Sequence, residues 1–318
     1  MIMLGQATPA PLAMPDTKQH ESATIWSRVS RISLTVLVLV LLFRVTDRVV
    51  RRTASLPAVP QPNAYDALLG IAREVHRPPG DLADLGPQAI RQTGQTNRHA
   101  LERLHEALNA ETGVPLRVEP HWGDKHAEDV KQLKRLAIVL AIQSRAEFLD
   151  GRTNHSARCL ADVILLGQAL ARGGILSDGV NALTLENLGA ATLRAQMPSL
   201  DAESCRTVAR QLEHAEPLRE PPERTFKTQI DWATASFGLA GRATSLFLGQ
   251  TETKGRAEFV RRNHDVVRRT RRLILSLAAR AVELETGQPV NSPSALVPAI
   301  LNSVPVDPEL GTPMTLIH

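Results

Sequence analysis

Residues 133–148 read LKRLAIVLAIQSRAEF, and this stretch decides the fold class. Its apolar and small residues recur every three or four positions, which is the period of one face of an α-helix. The positions on that face are Leu133, Leu136, Ala137, Leu140, Ala141, Ser144 and Phe148. The pattern predicts a helix that buries this face and ends near Gly151, because glycine favours helix termination.

The same period continues on both sides of this stretch. Asn63 and Asp201 are candidate N-caps, because their side chains can accept hydrogen bonds from the first turn of a helix. Further helices are predicted over 86–110, from Thr153 or Asn154 to Gly173, over 223–249, over 256–285, and around the inward positions Val180, Leu183, Leu188 and Ala191. We find no convincing strand, so the sequence predicts an all-α fold of antiparallel helical hairpins, as a bundle or an irregular solenoid.

The composition is that of a globular chain. Of 318 residues, 43% are apolar and 22% are charged, which excludes a wholly disordered protein. Two cysteines, Cys159 and Cys205, exclude a disulfide framework and a four-cysteine zinc module. Aromatic residues make up only 3%, which disfavours β-sandwiches, β-barrels and stacking surfaces for single-stranded nucleic acid.

A second apolar stretch lies near the N-terminus, where residues 32–43 carry no charge. A membrane-spanning helix needs roughly 20 apolar residues, and the long stems of Arg28, Arg31 and Arg44 can extend the apolar span by reaching the headgroups. The stretch therefore predicts a single-pass membrane anchor, with a cleaved signal peptide or a buried helix as the alternatives. The predicted anchor residues are Ile32, Leu34, Val36, Leu37, Val38, Leu39, Val40, Leu41, Leu42 and Phe43.

These features divide the chain into five segments. We expect a disordered tail over 1–24, a transmembrane or signal-anchor helix over 25–52, a proline-rich linker over 53–62, a helical domain over 63–285, and a C-terminal turn-rich tail over 286–318. Basic residues on the two sides of the apolar run nearly balance, so the side of the membrane that holds the body stays undetermined, with a slight excess favouring the cytoplasm.

Basic residues concentrate between Lys254 and Arg280, which hold nine basic and two acidic residues. The inward face of this helix is predicted to carry Phe259, Asn263, Val266, Thr270, Leu273, Leu277 and Ala281. The outward arginines form a candidate anion-binding face of Arg261, Arg262, Arg268, Arg269 and Arg272. A solvated or ion-paired face is the leading interpretation, an anionic membrane surface the second, and nucleic acid is disfavoured.

The remaining polar motifs predict no catalytic residue, cofactor or metal site. The His121–His126 segment places two histidines and one aspartate in a loop, but its spacing matches no zinc motif. His155 lies one turn from Cys159, although a buried unreactive cysteine is the commoner arrangement. Small residues at Ala235, Gly238, Gly241 and Ser245 predict a stripe that lets another helix approach closely, rather than a phosphate-binding loop.

The C-terminal segment carries Leu296-Val297-Pro298 and Pro305-Val306-Asp307-Pro308-Glu309-Leu310-Gly311-Thr312-Pro313. This tail resembles that of uncharacterised, N-terminally membrane-anchored helical proteins of bacteria. It is also faintly similar to the tail of type II secretion pseudopilins, but the chain lacks the prepilin cleavage signature before its apolar run. Physically the tail predicts turns, with Leu296, Val297, Ile300 and Leu301 packing on the body.

The leading functional prediction is a single-pass, membrane-anchored helical protein that acts as a scaffold or protein-interaction module. Its expected partners are membrane lipid and either another protein or a second copy of the chain. One alternative is an envelope hydrolase that uses Asp or Glu residues which no motif reveals. A second alternative is a binder of anionic lipid or nucleic acid through the basic helix 254–280.

Overall fold

A computed structural model describes residues 17–78, 84–251 and 253–316, with side chains described from residue 33 onward apart from 246–254. The helices are α1 (Thr17–Thr53), α2 (Ala64–Glu74), α3 (Pro87–Leu108), α4 (Trp122–Leu149), α5 (Thr153–Ala171), α6 (Leu176–Gln196), α7 (Ala202–Ala215), α8 (Pro222–Thr251) and α9 (Thr253–Thr286). Among these described residues there is no β-strand, and one isolated bridge joins Val306 to Pro313. The predicted all-α class is confirmed.

The chain divides into two compact units, residues 1–50 and residues 51–318. In its described part, the first unit is helix α1. This helix covers the predicted segment 25–52 and begins earlier, at Thr17. Residues 1–16 of the predicted disordered tail, and the side chain of the anchor residue Ile32, lie outside the described residues.

Helix α5 is the centre of the second unit. From Ser156 to Leu170, all of its residues except Arg158 and Cys159 are buried. One side of the helix joins a core with α2, α3 and α4, and the other joins a core with α6, α7 and α9. Apolar side chains on every face of a helix require cover on every face, and here neighbouring helices supply it.

The second of these cores also takes in the C-terminal tail. Leu296, Ile300 and Leu301 are buried against α7 and α9, and Val297 packs against the same cluster while half-buried. The apolar residues of the tail therefore pack on the body, as the sequence predicted, and they close the core that α5 opens.

Both predicted N-caps are confirmed. The Asn63 side chain accepts a hydrogen bond from the Tyr65 backbone N–H at 3.2 Å and also from the Gly113 backbone N–H at 3.0 Å. The Asp201 carboxylate accepts a hydrogen bond from the Ser204 backbone N–H at 2.8 Å. Each cap satisfies an N–H group that the first helical turn leaves without a partner inside the helix.

Three predicted inward positions are wrong. Phe148, Val180 and Ala191 are exposed, although the predicted stripe neighbours Leu183 and Leu140 are buried. The buried face of α6 combines Leu183, Leu185 and Leu193 with small residues such as Gly189, where the helix comes very close to the backbone of α5. A pattern based on large apolar residues does not identify the small residues of such a face.

The predicted continuous helix over 223–249 is also wrong, because α8 breaks at Gly238, which has φ 64°. Only glycine adopts such a conformation at no steric cost. A Cβ atom added at Gly241 would come within 2.1 Å of the backbone oxygen of Ala233. The small residues of this segment therefore let the chain fold against itself, and the predicted stripe for a second helix is not formed.

The proline-rich segment 54–62 lies against the body rather than spanning free space. A Cβ atom added at Gly113 would be 3.0 Å from Pro60, and one added at Gly173 would be 3.6 Å from Pro57. Helix α4 begins at Trp122, within the His121–His126 segment that the sequence predicted to be a loop. His121, the residue before this helix, has φ 63°.

Candidate functional site

Helix α1 exposes a continuous apolar surface. The large apolar side chains from Leu34 to Phe43 are all between 46% and 62% exposed, on every face of the helix. Helix α5 has a comparable all-round apolar composition, but protein covers it. Within the part of the chain that the structure describes, no helix combines the length and the apolarity that crossing a bilayer requires.

The basic helix α9 has the predicted inward face, with Phe259, Asn263, Val266, Thr270 and Leu273 all buried. Its outward arginines mostly contact protein groups. Arg261 binds Glu258 at 2.7 Å and Asp265 at 3.2 Å, and Arg262 binds Glu258 at 2.6 Å. These ion pairs lie within α9 and follow the spacing of one helical turn.

Arg268 and Arg271 hold the C-terminal tail on α9. Arg268 donates to the Asp307 carboxylate at 2.8 Å and to the Glu309 carboxylate at 2.6 Å. Arg271 donates to the Val306 backbone oxygen at 2.7 Å and to the Glu216 carboxylate at 2.8 Å. The tail is therefore attached to α9 by two arginines in addition to its apolar contacts.

Of the candidate anion-binding face, Arg269 also has a protein partner, since it donates to the Asn187 side-chain oxygen at 2.7 Å. Arg272 is half-buried and makes no ion pair with any described residue. Four of the five predicted arginines thus serve contacts inside the chain. The geometry agrees with the interpretation of α9 as an ion-paired face.

The attachment of the tail has an electrostatic signature. The Arg268 guanidinium, followed by the Glu309 and Leu310 backbone N–H groups, holds the pKa of Asp307 well below its usual range. The Asp307 carboxylate, followed by the Glu309 carboxylate, raises the pKa of Arg268. Because the Asp307 pKa is depressed in the folded protein, this contribution to stability is present above the ordinary Asp pKa and is lost as the pH falls toward the folded value.

Replacing Arg268 by Gln should loosen this turn. The Asp307 amide donates to Thr312 O at 2.8 Å, and the Gly311 and Met314 amides donate to Asp307 O and Pro305 O, both at 2.9 Å. We expect hydrogen exchange of these amides to become roughly two- to fivefold faster, because the ion pairs are partly solvated. Mass spectrometry would measure the effect, with Arg262→Gln as the matched control, and unchanged exchange in Arg268→Gln would contradict the attachment.

A buried His–Asp pair joins α4 to α6. His126 Nε2 lies 2.7 Å from Asp178 Oδ1, and the two side chains are 6% and 0% exposed. The second Asp178 oxygen accepts a hydrogen bond from the Ile175 backbone N–H at 2.9 Å. Trp122 stacks on the His126 ring with centroids 4.5 Å apart, and Trp232 contacts Trp122 at 5.1 Å. The sequence predicted a loop for both His126 and Trp122, and the structure places them on α4 instead.

His126 lines a cavity of about 400 Å³, together with Lys131, Lys134, Ser177 and Asn181. By contrast, the His121 and Asp124 side chains are 88% and 89% exposed. The two histidines of this segment therefore do not converge. No group of three or more His, Cys, Asp and Glu side chains suited to a metal ion occurs among the described residues.

A second buried cluster surrounds Arg219. Its guanidinium contacts the Glu186 carboxylate at 2.5 Å and the Glu216 carboxylate at 2.8 Å, and Glu216 also binds Arg271. Burial raises the pKa of Glu186, while Arg219 lowers it in part. The cluster joins α6 to the break between α7 and α8. No sequence pattern predicts it, because Glu186 and Arg271 are distant along the chain from Glu216 and Arg219.

The other buried carboxylates also have partners. Glu147 binds Arg152, Asp162 binds His105 at 3.2 Å, and Glu220 accepts from the Gly173 backbone N–H at 3.2 Å. The hydrogen bond to Asp162 raises the pKa of His105. A hydrolase of the glycosidase type would need two carboxylates that converge on open space. Each buried carboxylate named here is instead committed to a partner in the fold.

The two cysteines have little nucleophilic character. Burial, with the Asp162 carboxylate as the next contribution, raises the pKa of the Cys159 thiol. Burial raises the pKa of Cys205 to about 11. Since the thiolate is the reactive form, both side chains act as small packing groups.

No known protein family matches the chain, and no curated protein or solved structure shows significant similarity to it.

Proposed function

We propose that this chain is a single-pass, membrane-anchored helical protein whose body of antiparallel helical hairpins serves as a scaffold or protein-interaction module. The observation that carries the proposal is the exposure of the apolar run from Leu34 to Phe43. An exposed apolar patch of this extent is unfavourable in water and typically marks a membrane or protein contact. Helix α1 therefore needs a partner on every face, and lipid provides one.

The contrast with α5 supports lipid as that partner. Both helices carry apolar residues all round, but neighbouring helices cover α5, whereas α1 exposes its run. The twelve residues 32–43 span only about 18 Å as a helix, less than the roughly 30 Å of a bilayer core. Arginines at 28, 31 and 44 flank the run. Their stems extend its apolar length while the charges reach the headgroups.

Membrane extraction tests the proposal directly. Membranes containing the full-length protein with a C-terminal tag are washed in alkaline carbonate, and we expect the protein to stay in the pellet. The double variant Leu37→Arg with Leu41→Arg should move it to the supernatant, because each arginine at the centre of a membrane helix costs about 2.5 to 3.5 kcal/mol.

The matched control is Leu310→Arg, which changes an exposed leucine on the C-terminal tail. This variant should remain in the pellet. Release of the intact unsubstituted protein by carbonate would overturn the anchor.

A further inference from the structure

A cleft with a volume of about 910 Å³ lies on the body, between the segment 58–60 and helices α3, α5 and α7. Its apolar wall includes Val59 and Leu218, which are 38% and 53% exposed. Buried Leu108 and Leu165 also line it. Clefts of this size that combine apolar walls with a few polar groups are typical of small-molecule sites.

Two arginines line the same cleft and are held by neutral groups. Arg172 donates to the Thr112 hydroxyl at 3.0 Å and to the Leu218 backbone oxygen at 3.1 Å. Arg210 donates to the backbone oxygens of residues 300 and 299, at 3.3 and 3.2 Å. Neither makes an ion pair with a carboxylate of the described chain, unlike Arg261, Arg262 and Arg268 of α9.

The acidic groups near Arg172 compensate its charge only in part. Glu220 lies near enough to act on it electrostatically, but its carboxylate accepts from the Gly173 backbone N–H and lies 3.5 Å from Arg224. Burial lowers the pKa of Arg172, and the Glu220 charge offsets this only partly. Glu111 also lines the cleft but is exposed. The Arg172 guanidinium is therefore held in place by its hydrogen bonds, is partly removed from water, and lacks a carboxylate that fully compensates its charge.

We infer that this cleft binds a small amphipathic carboxylate, whose acid group lies at Arg172 and Arg210 and whose apolar chain lies along Val59 and Leu218. The guanidinium fork matches the geometry of a carboxylate and binds it by charge-assisted hydrogen bonds. The apolar wall favours an acid with an attached hydrocarbon chain over a bare phosphate. The inference does not depend on whether α1 enters a membrane.

Calorimetric titration of the purified full-length protein with sodium octanoate tests the site, with protein-free buffer or micelles as the blank. We expect one equivalent to bind. Hexanoate should bind more weakly, by up to about fourfold for each methylene removed, because each buried CH₂ contributes about 0.8 kcal/mol. Octanol and inorganic phosphate should each bind at least about tenfold more weakly, because octanol lacks the charge and phosphate lacks the chain.

Two variants locate the binding. Arg172→Gln removes the cation, and Leu218→Glu places a negative charge on the exposed wall without removing a buried group. Each should weaken octanoate binding at least about tenfold. Leu310→Glu, a matched change of an exposed leucine on the tail, should leave it unchanged.

Equal weakening by Leu310→Glu, or unchanged binding in Leu218→Glu, would overturn the site. Phosphate binding as tight as octanoate would overturn the amphipathic ligand class. Thermal unfolding of each variant confirms that it is folded, so Leu218→Glu keeps the test valid even if Arg172→Gln fails to fold.

Discussion

Replacing Arg219 by Met should lower the free energy of unfolding by about 3 to 5 kcal/mol at pH 7, because it leaves a buried carboxylate without its counter-charge. Arg219 and Glu186 are 10% and 3% exposed, and Arg219 is the one ion-pair partner of Glu186 within the described chain. Glu216 retains Arg271 and is less affected. Urea unfolding followed by circular dichroism would measure the change as a lower midpoint.

The decrease in the free energy of unfolding caused by Arg219→Met should be smaller at acidic pH. Burial already raises the pKa of Glu186, and removing the arginine removes the main contribution that lowers it. A carboxyl group whose folded pKa lies above its unfolded value destabilises the fold as the pH rises through that range, and the penalty disappears once the group is protonated in both states. When the urea unfolding is repeated at pH 5, the difference in midpoint between Arg219→Met and the unsubstituted protein should therefore be smaller.

Two comparisons make this result specific to the buried pair. Arg262→Gln breaks an exposed ion pair with Glu258 and should lower the free energy of unfolding far less than Arg219→Met does, because water screens the exposed pair. The double variant Arg219→Met with Glu186→Leu removes both charges and should be more stable than Arg219→Met alone. A loss below about 1 kcal/mol in the single variant would contradict the buried pair.

The helical fold could be predicted because its signals are local. The stripe from Leu133 to Ser144 is buried as predicted, and Asn63 and Asp201 cap helices as predicted. The same stripe extends back along the chain and would have placed Trp122 and His126 on the buried face of α4, although it does not identify Asp178 as the partner of His126. Trp122, His126 and Val130 continue the stripe at four-residue spacing, so the start of α4 was within reach of the pattern.

The electrostatic part of the site could not be predicted because its partners are distant in sequence. Thirty-nine positions separate Arg268 from Asp307, and thirty-three separate Glu186 from Arg219. Composition identified a basic helix, but a count of charges does not tell an ion-paired arginine from one held by neutral acceptors. The two cleft arginines that lack carboxylate partners lie outside the basic helix. Arg172 directly follows α5, and Arg210 lies on α7.

The positions of glycine in the sequence also led to a wrong prediction of where two helices approach closely. The stripe predicted at 235–245 contains the break of helix α8 at Gly238, while Gly167 and Gly189 make a close helix contact at the interface of α5 and α6. Both glycines sit in ordinary helical stretches among alanine and leucine. Nothing in their local sequence distinguishes a glycine that faces another backbone from one that faces solvent.

Replacing Gly189 by Ala should therefore destabilise the protein by about 1 to 3 kcal/mol. The added Cβ would lie 2.7 Å from a side-chain carbon of Ile164 and 2.8 Å from the backbone oxygen of Leu160. A backbone atom cannot turn aside as a side chain can, so α5 and α6 would have to separate. Thermal or urea unfolding of the full-length protein would measure the loss, and Gly167→Ala, which meets the Ala182 oxygen at 2.8 Å, should behave alike.

The matched control is Gly70→Ala in helix α2, where an added Cβ meets no atom within 4 Å. Alanine is the better helix former and restricts the unfolded chain equally in both variants, so Gly70→Ala should stabilise the protein by about 0.5 to 1 kcal/mol. The two substitutions are chemically identical and differ only in what the new methyl group meets. Changes of opposite sign in the free energy of unfolding would establish close packing of α5 on α6. Stabilisation by Gly189→Ala equal to that by Gly70→Ala would show that the two helices do not touch at this point.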